Sequence, residues 1–198
     1  AKVQAISGAV LAKCDARDGL ADKMIGRPDA CTFDPVELVC TGAETDSCLT
    51  PPQVESARAF YAPTDVANGR YKWPGFPVGG EAEGWTNQSA RTLLGLGYMN
   101  YMITQSPSGD WLQVDPTQYT SRIDQMVTMI DAVDPDLSRF KASGGKLILW
   151  TGLTDWLITA NNATDYYKSV VAKAGGQAAA DEFVEYYTSP GVQHCRGG

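Results

Sequence analysis

The sequence predicts an α/β fold, and the stretch from residue 138 to the end carries that prediction. GGKLILWTG at 144–152 holds a continuous apolar run, Leu147 to Trp150, bounded by glycines. A run without alternation suits a strand buried on both faces, as in a parallel sheet. FVEYYT at 183–188 reads as a second strand, ended by Pro190 and Gly191. Between them, Asn161 or Asn162 opens a helix that runs through YYKSVVAKA and closes at Gly175-Gly176. Strand, loop, helix, strand and loop in this order form the tail of an α/β sheet.

The residues before 138 read as mostly helical and irregular. Val3, Ile6 and Val10 recur at helical spacing, which predicts a short amphipathic helix over 2–12. An acidic, turn-rich loop follows at 14–35. TPPQVESARAFYA at 50–62 starts a helix: Thr50 suits the N-cap, Pro51 the first turn, and Gln53 completes a capping box. Residues 63–87 are rich in Pro, Gly and aromatics, and an irregular segment of that length is usually functional or part of a cover. Residues 88–105 read as helix despite Gly95 and Gly97, and Asp115-Pro116 starts another with Ile123, Val127 and Ile130 on one face.

At 198 residues the chain can bury a real core as one domain or two small lobes. No run of about 18 apolar residues occurs, so no membrane-spanning helix is expected. The net charge of −7 and the lack of a basic run make nucleic acid and anionic membranes poor partners. Cysteines stand at 14, 31, 40, 48 and 195. The nearby pairs Cys14–Cys31 and Cys40–Cys48 would close short loops, each worth about 3 kcal/mol on the chain-entropy model. Such usage points to an oxidising compartment, secreted or periplasmic. Zinc is the rival reading, but no C-x-x-C occurs and the single histidine is remote from the cluster. Cys195 is left over, which implies a free thiol or a partner elsewhere.

In open α/β sheets functional groups gather beyond the carboxyl ends of the strands. Asp155 follows the first predicted strand and His194 follows the second. Neighbouring strands would bring them together as the acid and base of a Ser-His-Asp relay, acid first and histidine last. The other reading of the spacing is a loop carboxylate and a surface histidine. No G-x-S-x-G is present, and Ser143 precedes its strand. In this order the serine precedes the acid, so it is expected upstream of Ala1, with this chain a C-terminal portion of a longer enzyme. Asp15, Asp18 and Asp22 form a second constellation in CDARDGLADKM. Three carboxylates so close suit Ca²⁺, although EF-hand spacing is not met and a solvated acidic turn is the alternative.

Together these stretches resemble the tannase and feruloyl esterase family. CDARDGLAD, Cys31 in ACTFDP and VCTGAETDSCLTPPQV look like its lid, with a calcium loop and two local disulfides. DPDLSRFKASGGKLILWTGLTD looks like the strand leading to its catalytic acid, and SPGVQHC-x-GG like its closing histidine motif. The resemblance implies the C-terminal part of an α/β-hydrolase fold: a lid at 1–137 and a hydrolase segment at 138–198. It implies a secreted serine carboxylic ester hydrolase acting on esters of (hydroxy)aromatic acids. Asp155 and His194 would be the relay acid and base, and Leu157 and Ile158 would line the acyl pocket. Asp15, Asp18 and Asp22 would bind a structural Ca²⁺ through side chains, and Leu20 and Met24 through carbonyls. Cys195 would pair with a cysteine beside the nucleophile, in a missing N-terminal segment or a second chain. Trp156 stands where the family often has proline, and Lys23 where a glycine is common. The lid aromatics Trp85, Tyr98, Tyr101 and Trp111 suit either stacking on an aromatic acid or plain core. The alternative from a different class is a calcium-stabilised binding module without catalysis.

Overall fold

The structure, a computed structural model, describes residues 1–66, 69, 71–86 and 88–197. Its elements in chain order are α1 (Lys2–Cys14), α2 (Pro51–Tyr61), β1 (Thr64–Val66), β2 (Tyr71–Trp73), α3 (Glu81–Gly84), α4 (Gln88–Gly97), α5 (Thr120–Ile130), α6 (Ser138–Ala142), β3 (Leu147–Gly152), α7 (Ala160–Ala174), α8 (Gln177–Ala180), β4 (Val184–Ser189), β5 (Val192–Gln193) and β6 (Arg196–Gly197). They group into two compact units. The first joins residues 1–62, 74–86 and 134–198; the second joins 63–73 and 87–133.

The first unit has two apolar centres. In one, α1 buries Ile6, Val10 and Cys14 against Leu49, Val54, Ala57 and Trp85. Helix α2 begins as its capping residues require, with Gln53 Oε1 accepting from the Thr50 amide at 2.9 Å. Trp85 stacks on Phe60 with ring centroids 4.5 Å apart, so this aromatic is core. The other centre lies under the sheet. Strands β3 and β4 pair in parallel from Leu147↔Val184 to Gly152↔Ser189. Helix α7 is the crossover between them, and Val170 packs against Phe183, Val184, Leu147 and Leu149. Thr159, rather than Asn161 or Asn162, caps α7: its Oγ1 accepts from the Asn161 amide at 3.3 Å. Gly175 closes the helix at φ 98°.

One expectation about this sheet is corrected. Strand β3 alternates in burial, with Ile148 67% and Trp150 62% exposed. Helix α7 covers the Leu147 and Leu149 side, and among the described residues nothing comparable lies on the other.

In the second unit Ile103, Ile123 and Met126 form the core, with Val66, Tyr71 and Val127 packed against it. The predicted helix at 88–105 is α to Gly97 and π from Tyr98 to Ile103. The helix expected from Asp115 first makes a 3-10 turn, Pro116–Tyr119, capped by Asp115 Oδ1 on the Thr117 amide at 2.9 Å. Ile130 is exposed, so the core-facing side is Ile123 and Met126 with Val127 packed beside them, and only Ile130 departs from the expected face. Tyr101 is exposed, whereas the Trp111 ring lies against Gly95. The irregular segment at 63–87 holds β1, β2 and α3; its residues 67, 68, 70 and 87 lie outside the described ones.

Candidate active site

Parallel pairing brings the carboxyl ends of β3 and β4 side by side, and the two loops that leave them meet. Gly152 ends β3, and a Cβ there would stand 2.2 Å from the Val192 carbonyl oxygen. Only glycine lets that carbonyl come so near, and it accepts from the Thr154 amide at 3.1 Å. Strands β5 and β6 form a hairpin, pairing Val192↔Gly197 and Gln193↔Arg196. His194 and Cys195 are the two residues of its turn, and Cys195 takes the left-handed φ of 63°. The hairpin tip therefore carries the imidazole back to the strand that presents the acid.

His194 Nδ1 lies 3.0 Å from Asp155 Oδ2. The other oxygen, Oδ1, accepts from the backbone amides of Leu157 at 2.8 Å and Ile158 at 2.9 Å. The carboxylate is thus fixed by two donors, and its free oxygen is aimed at the ring. Asp155 is mostly buried and His194 about one-third exposed, so one face of the imidazole reaches solvent. The Trp156 ring meets the His194 ring edge-on at 6.4 Å. An imidazole with Nδ1 held by a carboxylate is set to exchange a proton at Nε2.

Asp155 and His194 are brought together as the spacing predicted. Leu157 and Ile158 appear in a different light: their amides hold the acid, and the Ile158 side chain is exposed. Trp156, Gly152, Gln193 and Glu83 were not among the predicted site residues. Gln193 Nε2 donates to Glu83 Oε2 across 110 residues of sequence at 2.5 Å. Gly152 after an apolar run was the one legible signal, since a strand-end glycine marks close backbone approach.

The disulfides pair Cys14 with Cys31 and Cys40 with Cys48, and Cys195 is an exposed free thiol among the described residues. In the acidic loop the carboxylates serve the backbone. Asp15 Oδ1 accepts from the amides of Asp22 and Lys23, and Asp18 from those of Leu20 and Gly26. Asp22 accepts from Met24. The amides of Leu20 and Gly26 hold the Asp18 carboxyl below its ordinary range. Hard oxygens of this kind match Ca²⁺ in donor chemistry. In placement, no three acidic, cysteine or histidine groups among the described residues gather as a metal cluster.

A half-open cleft of about 620 Å³ lies in the same unit, and its Phe76, Pro77 and Leu153 also wall a smaller hollow that reaches Asp155. Several of its polar groups are engaged. Arg27 forks onto Asp29 at 3.0 and 2.9 Å, and Asn161 Nδ2 donates to the Gly75 carbonyl at 3.0 Å.

Residues 1–198 match the family model for tannase and feruloyl esterase. The chain belongs to the tannase and feruloyl esterase family. It is 33% identical to an uncharacterized esterase of Xanthomonas campestris pv. campestris, over all of this chain and 40% of that protein. It is 26% identical to feruloyl esterase C of Talaromyces stipitatus, over 98% of this chain and 37% of that protein. The crystal structure of an esterase from Aspergillus oryzae is similar at a TM-score of 0.87 and 26% identity, over 99% of this chain and 40% of that one. Feruloyl esterase B from the same organism, at 0.85 and 22%, shows the fold alone, over 100% of this chain and 40% of that one. The chain spans about 40% of the length of the family relatives it matches.

Proposed function

We propose that this chain is the lid, residues 1–137, and the C-terminal hydrolase segment, residues 138–198, of an α/β-hydrolase that cleaves esters of (hydroxy)aromatic acids. The observation that carries the reading is the 3.0 Å bond from His194 Nδ1 to a carboxylate oxygen whose partner oxygen is held by two amides. A histidine so oriented is of use to a nucleophile at Nε2, and family membership names the reaction class.

In the proposed cycle a serine outside this chain attacks the ester carbonyl while His194 Nε2 takes its proton. Asp155 stabilises the imidazolium without itself becoming protonated. Collapse of the tetrahedral intermediate breaks the C–O bond, and the proton on His194 leaves with the alcohol. Water then attacks the acyl-serine, His194 again taking and returning one proton, and the acid is released. Cys195 is read as one half of a disulfide to the segment that brings the serine. Leu157 and Ile158 are read as neighbours of the acyl group. Asp15, Asp18 and Asp22, with the carbonyls of Leu20 and Met24, would be the donors of a structural Ca²⁺ if the loop gathers them around one, and no catalytic step passes through it. Two disulfides in the described residues fit a secreted or periplasmic setting.

The test is labelling by a serine-directed phosphonate together with hydrolysis of a methyl hydroxycinnamate, in the protein that carries both this chain and the serine. His194→Ala is expected to remove both. Unimpaired turnover in that variant overturns the reading.

A further inference from the structure

The segment Gly79–Trp85 has no part in the cycle above, yet it lies against both loops that carry the reacting pair. We propose that α3 is a positioning element for the Asp155–His194 pair, with Gly84 seating Trp156 against the histidine ring and Glu83 holding Gln193 beside it. The proposal rests on the reading of that pair as acid and base.

The contacts are local and specific. A Cβ on Gly84 would stand 1.8 Å from Trp156 Cβ and 2.0 Å from its Cγ, closer than atoms approach. A Cβ on Gly80 would lie 3.1 Å from Thr154 Cα. Gly80, the residue before α3, thus lies on the Thr154 backbone that leads into Asp155, and Gly84, at the end of α3, lies on the Trp156 side chain that follows it. Trp156, pinned from that side, meets the His194 ring in an edge arrangement with ring centroids 6.4 Å apart. One residue on from Gly80, the Glu81 side chain turns into the core at 1% exposure. Its Oε1 accepts from the Tyr61 hydroxyl and the Gly79 amide, each at 2.8 Å. That buried carboxyl anchors α3 from behind. Glu83 reaches the other loop, accepting from Gln193 Nε2, and Gln193 Oε1 in turn accepts from Arg196 Nε at 3.4 Å. Both sides of the hairpin turn that bears His194 are therefore tied to this network. A single short helix thus fixes the acid turn through its glycines and the histidine turn through a carboxylate.

His194 is the only histidine in the 198 residues, so its ring protons are assigned without ambiguity. The experiment follows the low-field Nδ1–H resonance of the imidazole in this chain, with a melting curve on each variant. Gly84→Ala displaces Trp156 and is expected to abolish the signal through fast exchange with water. Glu83→Ala is expected to weaken it while the melting curve holds. Glu83→Gln keeps an oxygen for Gln193 Nε2 and is expected to restore it. In the serine-bearing protein the expected kcat losses are about 10²-fold for Gly84→Ala, the cost of a misplacement near 1 Å. Glu83→Ala is expected to lose about fivefold, one hydrogen bond's worth, each with KM unchanged. If Gly84→Ala does not fold, the Glu83 pair decides alone. A signal unchanged in Glu83→Ala overturns the proposal and leaves the esterase reading standing. Equal losses in Glu83→Ala and Glu83→Gln also overturn it, because charge and not position is then at work. A signal missing from the unsubstituted chain overturns both readings, whereas a braced signal in a protein without esterase activity removes only the proposed function.

Discussion

Between Cys14 and Leu49 the chain makes only short 3-10 turns and one bridge, Val39 with Leu49, whereas residues 147–189 are largely strand and helix. The first region is held by two disulfides and by carboxylates that accept from backbone amides. The second is held by a parallel ladder and by α7 burying Val170 against Val184 and Phe183. A region with so little apolar surface to bury needs covalent closure to offset its conformational entropy. A region with a helix across a parallel pair does not, and can spend its loop ends on chemistry. The comparison predicts that stability and activity are separable: lesions in the first region change folding, and lesions at the strand ends of the second change turnover.

The largest effect tests the strand ends. Asp155→Asn keeps an oxygen for the amides of Leu157 and Ile158 but mis-sets the histidine tautomer. It is expected to lower kcat by about 10⁴-fold while the melting temperature stays near that of the parent. Steady-state hydrolysis beside a thermal melt checks both. A large fall in melting temperature with modest loss of turnover would place Asp155 with the structural residues. Next in size are the disulfides. Replacing Cys14 and Cys31 by serine opens a loop of sequence separation 17 and should cost about 3 kcal/mol; opening Cys40–Cys48, separation 8, should cost about 2.5 kcal/mol. Denaturant titration measures both, and turnover per folded molecule is expected to hold. Of similar size is cation removal: if the acidic loop takes Ca²⁺, saturation at 100 times Kd adds about 2.7 kcal/mol, and a chelator lowers the melting temperature accordingly. Coincident melting curves with and without chelator would leave the carboxylate–amide bonds as the loop's whole support.

Legibility in the sequence divides along the same line. The β3–α7–β4 order was readable because an apolar run, a helical period and glycine stops each report on local packing. Asp155 and His194 were readable because parallel topology fixes where strand ends lie. The alternating exposure of β3 was not, since a continuous apolar run states what a strand tolerates rather than what covers it. Nor was the contribution of α3: a glycine at 84 that makes room for a side chain at 156 leaves no periodic trace, and Glu83 with Gln193 is a pairing over 110 positions. Leu157 and Ile158 were singled out for their side chains, while their amides hold Asp155, a property that every residue but proline shares.

The smallest effects carry opposite signs in two acids, one from the acidic loop and one behind the reacting pair. Asp18 accepts from the amides of Leu20 and Gly26, which lower its pKa from 3.8. A carboxyl lowered by folding contributes stability above its unfolded value, and that stability is lost as pH falls through the folded one. Glu81 is pushed up from 4.5, chiefly by burial, against the pull of the Gly79 amide. A carboxyl raised by folding contributes fully below its unfolded value, and the contribution is lost as pH rises through the folded one. The difference in denaturant midpoint between the parent and Asp18→Asn should therefore grow from pH 3 toward neutrality, in the parent's favour. The difference between the parent and Glu81→Gln should instead shrink as pH rises above 4.5. Because Asp18 is exposed, screening by salt should flatten the first trend and leave the second. Parallel trends would mean that the burial of Glu81 is relieved by water or a partner, and the anchor behind α3 would then be no firmer than the loop it is compared with.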